Sequence, residues 1–61
     1  MNQYILLHTH EFGPSVYRFR SKLELEELDP RTVASVLMVN FEGWRGESLL
    51  IAELLSGNPI L

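Results

Sequence analysis

A chain of 61 residues leaves room for one small α+β domain, and with 46% hydrophobic against 21% charged residues it is too apolar to be disordered. The absence of cysteine excludes a disulfide scaffold, a thiolate metal knuckle and a cysteine nucleophile. A net charge of −3 is too mild for a nucleic-acid mimic and has the wrong sign for a simple nucleic-acid binder.

The longest uncharged apolar stretches fall well short of the ~20 residues a membrane helix needs, and no basic start followed by an apolar run marks a leader, so a cytoplasmic setting is expected. A domain of this length buries only about 60% of the surface its unfolded chain exposes. Without disulfides, extra stability has to come from dense packing, a metal or association with another chain.

Along the chain, residues 2–10 alternate as a strand, with Tyr4, Leu6, His8 and His10 on one side and Ile5, Leu7 and Thr9 on the other. Both sides are apolar in the first half, which suits a central strand covered on both faces. Residues 11–15 (EFGPS) read as a turn, and Val16 to Arg20 alternate again, completing a β-hairpin. Residues 21–29 read as a connector with one helical turn, for which Ser21 and Glu24 have capping-box spacing.

A helix over 30–39 is predicted by Asp29 as N-cap, Pro30 at the first helical position and a staple between Leu28 and Val33. Val33, Val36, Leu37 and Phe41 form the stripe expected to face the sheet, and Asn40 is the expected stop. Residues 42–46 form a loop. The run 48–55 fits a strand or a helix; the strand is preferred, because a two-stranded hairpin alone is marginal in water. The expected fold is therefore β-β-α-β, a three-stranded sheet with one helix on one face, with ββαα as the alternative. Ser56 to Pro59 stop the last element, leaving Ile60-Leu61 as an apolar tail.

One short helix covers one face of such a sheet, so the other face should hold apolar side chains that need a companion. The expected function is a non-enzymatic interaction module that forms a homo-oligomer, a dimer in the simplest case, through that face or a sheet edge. It includes the case of an inhibitor or accessory factor that binds another protein. Trp44 and Arg45, flanked by glycines, are the candidate contact residues for a protein partner; a ring folded back over the core is the equal alternative.

Two other readings remain. His8 and His10, at strand positions i and i+2 and so about 6.5 Å apart on one side, have the spacing to share a zinc ion if a carboxylate or a second subunit adds a ligand. Such a site could turn catalytic at an oligomer interface. Otherwise the two rings are hydrogen-bonded or solvated at the polar end of the strand, able to make an interface pH-sensitive. Arg18, Arg20 and Lys22, interleaved with Tyr17 and Phe19, have the composition of a single-stranded nucleic-acid surface. Period two separates the rings from the guanidiniums, so core rings with solvated arginines is the preferred account. No phosphate loop or nucleophile elbow is present.

Overall fold

The computed structural model describes residues 1–55. Strand β1 (Asn2–His10) turns at Glu11 and Phe12 into β2 (Gly13–Ser21). A single 3₁₀ turn at Leu25–Glu27 leads to helix α1 (Pro30–Val36), and β3 (Ser48–Leu54) closes the sheet. The strand order is β2-β1-β3, with β1 central and both pairings antiparallel. The β-β-α-β architecture is as expected, and the helical alternative for 48–55 is overturned: that run is a strand paired along β1.

The turn is tighter than the five residues expected. His10 pairs with Gly13 and Thr9 with Pro14, so only Glu11 and Phe12 lie outside the ladder. Pro14 is tolerated because β2 is an edge strand, where a missing N–H needs no partner.

The helix starts where its caps place it. The Asp29 carboxylate accepts from the Thr32 amide at 3.1 Å and the Thr32 hydroxyl at 2.7 Å, and Pro30 follows at the first helical position. Leu28 packs against the core cluster that contains Val33. The 3₁₀ turn before it is capped from Glu24, whose amide donates to Glu27 at 3.0 Å, while Ser21 instead accepts from the Leu23 amide.

The helix end corrects the expectation. It stops at Val36, because Met38, and not Asn40, takes the left-handed conformation, with φ +60°. Met38 N–H donates to the Ser35 carbonyl at 3.1 Å and Val39 N–H to the Ala34 carbonyl at 2.8 Å, the pair of bonds that defines a Schellman reversal. Burying a valine contributes about 1.5–3 kcal/mol. A left-handed non-glycine residue costs about 1–2 kcal/mol, so the reversal that buries Val39 wins.

The stripe is corrected too. At 100° per residue, Val33, Ala34 and Leu37 share one face and Val36 lies outside it; Val36 is 75% exposed, Phe41 lies beyond the helix, and Ala34 takes the place in the core.

The core lies between α1 and one face of the sheet: Tyr4, Leu6, Val33, Ala34, Val39 and Ile51. Phe19 stacks on Tyr4 with ring centroids 5.5 Å apart, and the Tyr4 hydroxyl donates to the Leu23 carbonyl at 2.6 Å. The opposite face is open among the described residues. There Leu7 sits between Val16 and Leu50, Ile5 between Arg18 and Ala52, and Gln3 between Arg20 and Leu54. Val16 and Leu50 are 57% and 58% exposed. The expected stop at 56–59 and the tail at Ile60-Leu61 lie outside the described residues.

Candidate functional site

Helix α1 packs on β1 and β3 and covers Tyr4 and Leu6, but not the far end of the same sheet face, where the strand alternation brings His8 and His10. That end is roofed by residues 40–47. Of the two expected states, hydrogen-bonded or solvated, His8 takes the first, and it is buried as well, at 6% exposed. Its Nε2 meets the Glu47 carboxylate at 2.5 Å, and Phe41 approaches its ring edge-on with centroids 6.0 Å apart.

The second Glu47 oxygen organises the loop. Oε1 accepts from the amides of Glu42, Gly43 and Trp44 at 3.2, 2.8 and 3.1 Å. Three successive N–H groups can converge on one oxygen because Gly43 takes φ +81° and Gly46 φ +88°, a curl that side-chain-bearing residues resist. Burial opposes ionisation of Glu47, but the hydrogen bonds from His8, Trp44, Gly43 and Glu42 outweigh it and hold the carboxyl below the ordinary glutamate range. One carboxylate thus ties the loop to the central strand.

His10 stands beside His8, with ring centroids 4.7 Å apart. Its Nδ1 accepts from the Phe12 amide at 3.4 Å, an arrangement that puts the ring proton on Nε2, which then donates to Ser15 Oγ at 2.9 Å. In this arrangement Ser15 accepts rather than donates, so the pair is not a base poised over a nucleophile. For zinc, His8 and His10 find no third ligand gathered with them: among the described residues no group of three His, Cys, Asp or Glu side chains is arranged to hold a metal ion. Glu11, adjacent in sequence, does not supply it, and the nearby carboxylate of Glu47 is engaged by His8 and the three amides.

Trp44 is 70% exposed, so the ring does not fold back over the core; its Nε1 donates to the Glu42 carboxylate. Arg45 is exposed beside it. The loop, the β1–β2 turn and the start of β2 form a cleft of about 670 Å³, and both histidines, Phe12, Ser15, Trp44 and Arg45 contribute to its lining. The histidine pair and the Trp44-Arg45 patch, read from sequence as separate features, therefore belong to one site. Glu47, Ser15 and Phe12 join it unforeseen.

The basic strip lies elsewhere. Arg18 and Arg20 emerge on the open sheet face and Lys22 beyond the strand end, while Tyr17 and Phe19 point to the helix side. Rings and guanidiniums do not share a surface, which removes the stacking half of a single-stranded nucleic-acid site. None of these three bases has a carboxylate within 4 Å among the described residues; the ion pair there is His8–Glu47.

Among the described residues no helix is long and apolar enough to cross a membrane. In comparison with known proteins the chain matches no family model, no curated protein and no solved structure.

Proposed function

We propose that this protein is a non-enzymatic interaction module that pairs with a second copy of itself through the open sheet face, in a cytoplasmic setting. The observation that carries the reading is that face itself: Ile5, Leu7, Val16, Leu50, Ala52 and Leu54 form a continuous aliphatic surface across three strands, uncovered by any described residue. Apolar area of that kind on so small a domain is stabilised by removal from water, at about 25 cal/mol per Å².

A second copy is the favoured occupant on charge. Arg18 and Arg20 flank the aliphatic patch, and among the described residues neither has a carboxylate partner and the face carries no acid. The same chain presents exposed Glu24, Glu26 and Glu27 just beyond the end of β2. Each copy therefore carries exposed groups of both signs, and a two-fold pair needs only one self-complementary patch.

Light scattering across a dilution series tests this. Twice the chain mass at about 100 µM is expected, with dissociation on dilution, and Leu50→Glu should give a folded monomer because Leu50 is already largely in water as a single chain. A monomer of the unaltered protein at that concentration overturns the proposal. So does a dimer that Leu50→Glu and Leu7→Lys both leave intact.

A further inference from the structure

The cleft on the helix side of the sheet is independent of the open face, and its lining has a definite chemical bias. Two aromatic rings stand on its rim from separate parts of the chain: Phe12, 87% exposed in the β1–β2 turn, and Trp44 in the 40–47 loop. Tyr17 of β2 lines the cleft between them in sequence, half out of the core. Two large rings exposed on the lining of one cleft give it an apolar surface that a ligand can use.

Charge separates the ligand classes. Glu11, Glu42 and Glu47 line the cleft against a single guanidinium, Arg45. The Glu47 charge is absorbed by His8 and three amides, which leaves Glu11 and Glu42 as the remaining carboxylates of the lining. Glu42 also accepts from Trp44 Nε1, so a carboxylate is held at the edge of the ring while the ring stays exposed. An anion would meet two carboxylates and the negative faces of the rings. A neutral apolar ligand would gain contact with the rings and nothing from the acids. A cation with an apolar skin gains from both, since ring faces attract positive charge and carboxylates complete the field.

The geometry points to a binding site for an organic cation, an alkylated ammonium or a guanidinium, seated between Phe12 and Trp44 with Glu11 and Glu42 as counter-charges. The open shape of the cleft keeps the affinity weak, with a Kd of about 1–10 mM for a small ligand. The same group could arrive as a free small molecule or on a lysine or arginine side chain of a polypeptide.

Trp44 is the single tryptophan of the chain, so its emission reports on this site alone. Choline and its neutral isostere 3,3-dimethylbutan-1-ol are titrated in parallel, with calorimetry as the second measurement. A saturable response to choline is expected, with the alcohol at least about fivefold weaker. Phe12→Ala and Glu11→Gln, both at exposed positions that leave the fold alone, should each weaken choline binding about threefold to tenfold. Arg45→Ala removes the one repelling charge and should tighten it. No saturable response, an equal response to the alcohol, or choline binding unchanged in both Phe12→Ala and Glu11→Gln overturns the proposal. A trimethyllysine peptide then distinguishes the sources: binding about tenfold tighter than choline assigns the group to a polypeptide, and equal binding assigns it to a small molecule.

Discussion

Glu47 and His8 are 39 positions apart in the chain and meet at 2.5 Å, each side chain almost wholly withdrawn from solvent. The contact joins the loop before β3 to the middle strand of the sheet, and the other oxygen of the same carboxylate gathers three loop amides. Removing that carboxylate leaves several polar groups without partners at once.

Glu47→Ala is therefore expected to loosen the 40–47 loop more than any other single substitution in it. Amide exchange at Glu42, Gly43 and Trp44 should accelerate by at least about tenfold, while exchange at Leu6 and Ile51 changes less. Glu47→Gln keeps an acceptor oxygen and should retain much of the protection. Equal acceleration in both variants would show that the amide bonds are not what holds the loop.

The loop should also release in acid before the sheet does. Because the hydrogen bonds hold Glu47 below the ordinary glutamate range in the folded state, its contribution to stability is fully present above about pH 4–5 and is lost as pH falls through the depressed value. Asp29 shifts the same way: the hydroxyl and amide bonds from Thr32, assisted by Arg31, favour its charged form. Trp44 emission should follow the Glu47 step, and helical circular dichroism the Asp29 step. A Trp44 signal flat from about pH 6 to 3 would contradict the Glu47 assignment.

Met38→Gly is expected to stabilise the protein. Met38 occupies the left-handed position of the helix-terminating reversal with its side chain in water, so glycine removes strain and sacrifices little contact. The gain should be about 0.5–1 kcal/mol after the added freedom of the unfolded chain is counted. Chemical denaturation with an unchanged slope measures it; a loss of stability would mean that Met38 makes contacts worth more than its backbone strain.

Tyr4→Phe and Leu6→Ala probe two different contributions of the same buried face. Tyr4→Phe deletes the hydroxyl that donates to the Leu23 carbonyl and should cost about 1 kcal/mol. Leu6→Ala opens a void in the centre of the core and should cost about 2–5 kcal/mol. On a domain this small the second change is expected to leave a measurable unfolded population at about 37 °C. A Tyr4→Phe cost equal to that of Leu6→Ala would show that the hydroxyl contributes more than its bond to the Leu23 carbonyl.

The parts of the structure written in neighbouring residues were legible. Alternation set the hairpin, and Asp29 with Pro30 set the helix start, because each signal acts within a few positions. The helix stripe is less legible: Val33, Val36 and Leu37 keep helical spacing, but Val33, Leu37 and Ala34 span an arc just as narrow, and spacing alone does not say which side of Val33 faces the sheet; small Ala34 takes the buried place. Nothing local marked Glu47 as the partner of His8, since their meeting depends on β3 folding back along β1. A weaker signal existed in Gly43 and Gly46, whose loop exposes amides that need an acceptor, with Glu47 immediately after. The strand at 48–54 is implied by what a lone hairpin lacks, a property of the whole sheet rather than of those residues.

The middle position of the first strand has a consequence for how the molecule is made. On a ribosome β1 emerges ahead of β2 and finds it at once, but its other side stays unsatisfied until residues 48–54 follow. Until then Tyr4 and Leu6 lack Ile51, and the hairpin alone is marginal. The cooperative step is thus delayed until nearly all of the described chain has been synthesised, and nascent chains halted before β3 should be open to proteolysis throughout residues 1–47.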